Sequence, residues 1–409
     1  MNTRERFQAV MGFEPGVGTL LWEWGYWGGT IQRWYSEGLP KRHGLRQPAE
    51  YGDTVAGPGA AWGSGVLNVQ RADDVAEFLG SGCHVGFDQA RQTIPLQNFI
   101  YPEFDTEVVQ EDGEYCLVRD GLGVLSKQRK DGASKPYYVD WPVKDRETWE
   151  RLKAERLQPD VRLRLPANWP ELVEDYKHRD YPLAIGSGYC GFFGSLRALM
   201  GEERLFYAYY DQPDLVHDIL DYLCDFWIAI YDAVLSDLPP ASRPDSAEFW
   251  EDMAYRNGPL ISPSLFREFM LPRYQRLIGF LRENGVRNFC VDTDGNCWQL
   301  IPLFLEAGMT AMLPFEVQAG MDIVEVRRAY PRLQVYGGLD KRALAQSLAA
   351  AKPAIEAELA KAEVLLRQGG YIPMADHLIP PDVPWETFVY YRRRLEEMSG
   401  RKKGHDCRD

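Results

Sequence analysis

The chain has 409 residues, 45% of them hydrophobic and 26% charged, which fits a globular protein of one large domain or two to three smaller ones. A net charge of −14 argues against a nucleic-acid partner, which needs a basic face. There is no run of about 18 apolar residues, so no membrane span is expected.

The start, Met1-Asn2-Thr3-Arg4-Glu5-Arg6-Phe7, is charged and lacks the apolar stretch of a signal peptide. Seven cysteines, scattered and without a CxxC pair, lead to the expectation of reduced thiols and a cytoplasmic location. The pattern predicts a first helix over 3–12, with Thr3 as N-cap. A strand over 19–27 follows, Thr19-Leu20-Leu21-Trp22-Glu23-Trp24-Gly25-Tyr26-Trp27. Glu23, flanked by two tryptophans, either salt-bridges at the surface or sits buried among aromatics with a raised pKa or a cation beside it.

Residues 28–150 mix Gly, Pro and aromatics with short apolar runs and read as a β-rich insertion. Glu114-Tyr115-Cys116-Leu117-Val118 resembles a hairpin arm turning at Asp120-Gly121, and 132–136 reads as a loop tip. Residues 144–156 are charged and helical in pattern.

Over 160–398 the pattern becomes a regular alternation of strand and helix. Strands are predicted at 183–188, just before Glu251, at 288–291, 309–315, 333–336 and 371–374. Helices are predicted at 194–200, 213–235, 263–284 with a break at Pro272, 298–308 with Gly308 as C-cap, 322–330, 341–369 and 385–398. Residues 399–409 read as a polar, mobile tail. The resulting fold class is α/β, a (β/α)8 barrel with an N-terminal elaboration containing a β-hairpin, all of 1–398 forming one domain.

Polar residues follow strand after strand: Glu251 and Asp252, Asp292 and Asp294, Glu316, Asp340, Asp376 and His377. In a closed barrel these strand ends form a single mouth. No GxGxxG follows a strand and no GxxxxGK[ST] occurs, which argues against dinucleotide and P-loop chemistry. The focal stretch is Asn288-Phe289-Cys290-Val291-Asp292-Thr293-Asp294-Gly295-Asn296. Asp292 and Asp294 are two apart and point the same way on an extended strand. Two such acids need a proton, a cation or a metal, or else they cap backbone amides in an Asx-turn. With His377 they make a plausible three-ligand set for a divalent metal. Oxygen and nitrogen donors suit zinc, and also iron or manganese. Glu316 is a fourth ligand or a general base. An acid cluster without metal would instead hold a proton, or a cationic or polyhydroxyl ligand.

Several blocks resemble the uroporphyrinogen decarboxylase superfamily. They are Glu251-Asp252-Met253-Ala254-Tyr255-Arg256-Asn257-Gly258-Pro259-Leu260-Ile261-Ser262-Pro263, Glu316-Val317-Gln318-Ala319-Gly320-Met321-Asp322, Tyr336-Gly337-Gly338-Leu339-Asp340-Lys341, and Ile379-Pro380-Pro381-Asp382-Val383-Pro384. The resemblance covers about 180–398 and implies the barrel fold and a homodimer. The arginine-rich N-terminal loop with which the porphyrinogen branch grips carboxylates is replaced here by Leu21-Trp22-Glu23-Trp24-Gly25-Tyr26-Trp27, so a porphyrinogen is not the expected substrate. In the corrinoid methyltransferase branch, zinc is held by His-x-Cys-Gly-Asn and a later Cys. Here Asp292-Thr293-Asp294-Gly295-Asn296 stands in register, and His377 falls where that Cys would. Carboxylates for thiolates make a harder site, better suited to an alcohol, water or carboxylate than to a thiol.

The first expectation is therefore a metal-dependent methyltransferase or demethylase, its metal on Asp292, Asp294 and His377. Glu316, Asp376 and Glu23 are the candidate catalytic groups. Trp22, Trp24, Trp27, Asp252 and Asn296 are the candidate substrate-binding residues, the tryptophans suiting a cationic or aromatic methylated compound. No corrinoid domain is built in, so a corrinoid protein is the expected partner. A decarboxylase or lyase of a non-porphyrin acid is the alternative, with Arg197, Arg256 or Lys341 holding the carboxylate. A non-catalytic small-molecule binder is the third.

Overall fold

A computed structural model describes residues 1–46, 52–60, 70–130, 136–186 and 188–401. Residues 132–135 of the expected loop tip, and the tail beyond residue 401, lie outside the described residues.

Two short strands, β1 (Gly25–Trp27) and β2 (Thr54–Ala56), pair antiparallel. The third, β3 (Gln92–Thr93), is the first of a parallel sheet. A separate antiparallel sheet contains β4 (Glu107–Asp112), β5 (Tyr115–Arg119), β6 (Leu125–Arg129) and β7 (Tyr137–Asp140). It holds the expected hairpin, with Asp120 Oδ1 accepting from the amides of Leu122 and Val124 in the turn. The parallel sheet continues with β8 (Leu183–Gly186) and β9 (Ser246–Trp250). A small hairpin, β10 (Ala254–Tyr255) and β11 (Gly258–Pro259), interrupts it. Then come β12 (Asn288–Asp292), β13 (Ala311–Leu313), β14 (Gln334–Tyr336) and β15 (Tyr371–Ile372).

The order β15-β14-β13-β12-β9-β8-β3 is parallel throughout. Residues 19–24 lie between its two edges. Thr19 Oγ1 donates to Tyr371 O on one side (2.6 Å), and Asp88 N donates to Leu21 O on the other (3.1 Å). The strand expected over 19–27 is formed only at 25–27, but residues 19–24 bond to both sides of the curled seven-stranded sheet, and the architecture is the expected TIM barrel. Strands buried on both faces need continuous apolar runs, which is why Phe289-Cys290-Val291 carries no alternation.

Inside the barrel Trp22, Cys290, Leu313, Tyr336, Ile372 and Met374 pack together. Helix Thr3–Met11 closes the lower end, adding Phe7, Val10 and Met11 to that cluster. Asp245, just before β9, fixes the helix: its carboxylate accepts from Arg4 Nε (2.9 Å), Gln8 Nε2 (2.8 Å), Arg179 Nη2 (2.9 Å) and Leu183 N (2.9 Å).

The break expected at Pro272 is present. A π-turn over Phe266–Met270 precedes helix Leu271–Glu283, which starts with Pro272 in its first turn, where no N–H is needed. No helix among the described residues is long and apolar enough to cross a membrane. Cys116, Cys190, Cys224, Cys290 and Cys297 are free thiols.

Candidate metal centre at the barrel mouth

Two neighbouring strands end in acids and their loops cross. Asp292, the last residue of β12, stands level with Trp250 of β9 and Leu313 of β13. The chain leaving β9 folds over it, and Glu251 N donates to Asp292 O (2.9 Å). Asp252 then adopts a left-handed backbone, φ 45°, uncommon outside glycine and best tolerated by Asn and Asp. Thr293 locks the two loops, its hydroxyl accepting from Met253 N (3.1 Å). Gly295 is required where they touch: its φ is 77°, and a Cβ would lie 2.5 Å from Ala254 O.

Asp252, Asp292 and Asp294 thereby offer carboxylate oxygens that all lie within 4.8 Å of one another. His377 Nε2 sits 3.5 Å from Asp294 Oδ2. Burial first, then the charges of Asp252 and Asp294, push the Asp292 carboxyl well up. Burial and the charge of Asp294 push Asp252 up to about 6, against the pull of Arg197, whose Nη2 is 3.2 Å from Asp252 Oδ2. Three carboxylates this close resist full ionisation unless a cation joins them. Hard oxygen donors with one imidazole alongside fit a divalent ion of the zinc, iron or manganese type.

The mouth opens into a cavity of about 450 Å³ whose lining includes Arg197, Asp252, Arg256, Asp294, Glu316 and Arg342. Glu316 Oε2 accepts from Gly295 N (3.1 Å) and Oε1 from Gln318 Nε2 (2.7 Å), so it both lines the cavity and holds the aspartate loop. Arg342 is taken up by Asp340, and Lys341 Nζ faces Asp376 at 3.5 Å. Arg256 is exposed and has no hydrogen-bond or ion-pair partner among the described residues.

The structure brings Asp252, expected at the substrate, together with Asp292 and Asp294 in one acid group, while His377, expected as the third ligand, meets Asp294 and stands outside that group of three, and Glu316 reaches the aspartate loop through Gly295 N. Other candidate residues sit elsewhere. Glu23 is fully buried against Arg392 (3.3 Å) and accepts from the amides of Ala375 (3.0 Å) and Trp24 (3.2 Å), tying the first barrel segment to the last helix. Trp22 fills the barrel interior, where Arg91 lies over its ring at 5.9 Å, so the cation it meets belongs to the protein. Trp24 belongs to the same core, and Trp27 packs partly buried against it. Asp376 is 1% exposed and accepts from Val317 N (2.8 Å) and Lys341 N (3.1 Å), which makes it a clamp between loops. Asn296 Nδ2 donates to Ala319 O (3.1 Å), stitching the aspartate loop to the one carrying Glu316.

Two buried acids had no assigned part. Glu248, inward on β9, pairs with Arg91 Nη1 (2.5 Å) beneath the aspartates. Glu251 turns away from the mouth to accept from Phe192 N (2.9 Å), Gly194 N (2.7 Å) and Tyr274 Oη, at the start of helix Phe192–Met200. Glu248 is flanked by apolar residues along its strand, a signal that an inward ion pair was needed.

Residues 131–395 match the family model for uroporphyrinogen decarboxylase (URO-D). No curated protein sequence matches the chain. A methyltransferase from Methanosarcina mazei superposes with a TM-score of 0.56 at 15% identity, over 97% of this chain and 98% of that one. A chain from Listeria monocytogenes described as a vitamin-B12 independent methionine synthase gives only 0.30 at 12% identity, over 56% of this chain and 68% of that one. At such identities the first likeness speaks for the fold. The family match spans well over half of the sequence and includes every strand of the mouth that carries the acid group. The chain belongs to the uroporphyrinogen decarboxylase family.

Proposed function

We propose that the protein is a metal-dependent methyltransferase or demethylase, acting on a small substrate at the barrel mouth with a separate corrinoid protein as methyl partner. The observation that carries this reading is the meeting of Asp252, Asp292 and Asp294 within 4.8 Å, with His377 Nε2 3.5 Å from Asp294. Asp292, Asp294 and His377 would hold the ion, zinc first among the candidates, with Asp252 as a further donor. A divalent ion there would supply Lewis acidity, lowering the pKa of a coordinated hydroxyl so that its nucleophilic form is present at neutral pH. Glu316 keeps the aspartate loop in place through Gly295 and lies on the cavity wall, where it can take a substrate proton. Arg256 offers an unpaired guanidinium to an anionic substituent of the substrate. Family membership and a fold shared with a methyltransferase add support at the level of analogy.

A second reading, decarboxylation of a non-porphyrin acid, is favoured by the arginines of the same cavity, Arg256 above all. Metal analysis of protein purified without chelator is the first measurement. A bound divalent ion is expected, with affinity falling about tenfold or more in Asp292→Asn and Asp294→Asn. Methyl transfer from methylcobalamin is then assayed beside release of carbon dioxide. A metal-free protein whose activity is indifferent to chelator, to Asp292→Asn and to His377→Ala would remove the metal reading. Metal-independent release of carbon dioxide would put the second reading in its place.

A further inference from the structure

On the face opposite the mouth lies a second cavity, of about 470 Å³, bounded by Phe13, Val324, Arg327, Arg328, Arg332 and Val364. It is formed where helix Ile323–Ala329 turns into β14 and where helix Leu348–Leu366 runs out towards β15. Among the described residues no carboxylate lines it. In a chain of net charge −14, three guanidinium groups around one hollow run against the general trend.

The ordinary explanation for arginines here is that they meet the carbonyls at helix ends. Arg327 does so: it is 3% exposed, and its Nη atoms donate to Gly369 O (2.8 Å), Gly370 O (3.0 Å) and Leu333 O (3.3 Å). Its Nε is buried and has no hydrogen-bond partner among the described residues. Arg328 and Arg332 are different. Both are exposed, and neither has a hydrogen-bond or ion-pair partner among the described residues. Arg332 lies 4.2 Å over the ring of Phe13, with Arg327 at 5.2 Å from the same ring. Phe13 is itself held in place, with φ 60° and its ring set against the backbone of Gly370, where a Cβ would come within 2.2 Å. Burial, with the charge of Arg332 adding to it, holds the Arg327 guanidinium down to about 10. With no acidic side chain in its lining among the described residues, the cluster is short of negative charge, and its walls are apolar on one side (Val324, Pro331, Val364).

We propose that this hollow is a binding site for a phosphate monoester, the phosphate held by Arg328 and Arg332 and the organic part laid on the apolar wall. Two unpaired guanidinium groups beside a third fixed positive charge match a dianion better than a monocarboxylate. The site stands apart from the proposed metal centre, across the length of the barrel, and does not depend on that reading.

The test uses the full chain and titration calorimetry at constant ionic strength, with adenosine 5′-monophosphate and inorganic phosphate as probes. Arg328→Gln with Arg332→Gln removes the two donors from exposed positions, so the fold should persist, which circular dichroism checks. Arg256→Gln at the mouth is the control. The expected result is saturable binding of the monoester, tighter than that of inorganic phosphate. Affinity should be weakened about tenfold or more in the double variant and unchanged in Arg256→Gln. No saturable binding to the unmodified chain, binding that the double variant retains, or binding that Arg256→Gln abolishes would each overturn the proposal. Equal affinity for the two probes would overturn the part given to the apolar wall.

Discussion

A carboxylate sealed from water keeps its charge only beside a cation or a set of N–H donors. Glu23 has Arg392 at 3.3 Å and two backbone amides, and burial still pushes its pKa up. Removing it strands the Arg392 guanidinium, 4% exposed, inside the protein. Glu23→Ala should therefore cost about 3–5 kcal/mol in urea denaturation, with Glu23→Leu/Arg392→Met costing less than the single change. A loss of turnover with unaltered stability would return Glu23 to the catalytic candidates. Asp74 gives the acid-side prediction. Burial opposes its charge, but the amides of His43, Gly44 and Arg42 and the Tyr35 hydroxyl outweigh burial and hold its carboxyl below the usual range. A lowered folded pKa gives stability that is present above the unfolded pKa and lost as pH falls through the folded one. Asp74→Asn should cost about 1–3 kcal/mol at pH 7, with the gap to the unmodified protein closing below about pH 4. A gap constant down to pH 2 would show that the carboxylate charge is not what stabilises the loop.

At the scale of elements, the mouth depends on loops that lock each other. Gly295→Ala places a Cβ 2.5 Å from Ala254 O at a φ of 77°, and should shift the aspartate loop. Gly285, also at positive φ (95°) but with nothing within 4 Å, is the matched control. Both changes carry the backbone cost of about 1 kcal/mol, but only Gly295→Ala should also weaken metal binding, read by competition with a chromophoric chelator. Equal effects would mean that the crossing does not position Asp294. Most βα units were legible in the sequence because parallel strands announce themselves as short apolar runs between amphipathic helices. The run at Phe289-Cys290-Val291 and the proline break at Pro272 are examples. Strand β3 was not: Gln92 and Thr93 are only two residues long, and the sheet around them, not their own pattern, makes them a strand. Strand-end position, together with the family resemblance, pointed to Asp292, Asp294 and His377; the carboxylates that lie within 4.8 Å of one another are Asp252, Asp292 and Asp294, with His377 at 3.5 Å from Asp294. Asp252 could not be assigned to the same group, because its left-handed turn is set by the loop beneath it. The tryptophans misled for a related reason. An aromatic-rich segment reads alike whether it faces a pocket or, as Trp22 does, the interior of a barrel.

At the scale of the whole molecule, Asp245 binds distant parts of the chain, with Arg4, Gln8 and Arg179 on one carboxylate. Asp245→Ala should destabilise by about 3–5 kcal/mol and release helix Thr3–Met11 to proteolysis before the rest unfolds, as limited trypsin digestion would show. Uniform digestion would mean that the helix is secured by Phe7, Val10 and Met11 alone. The closure of the barrel by residues 19–24 has a consequence for biosynthesis. Thr19 reaches Tyr371, and the Trp22 carbonyl meets Arg392, across separations of 352 and 370 residues. The earliest-translated barrel segment thus waits for nearly the last, and a nascent chain still on the ribosome carries a sheet with two raw edges. Such an intermediate invites chaperone capture, and expression at high rates should favour inclusion bodies over misfolded monomer.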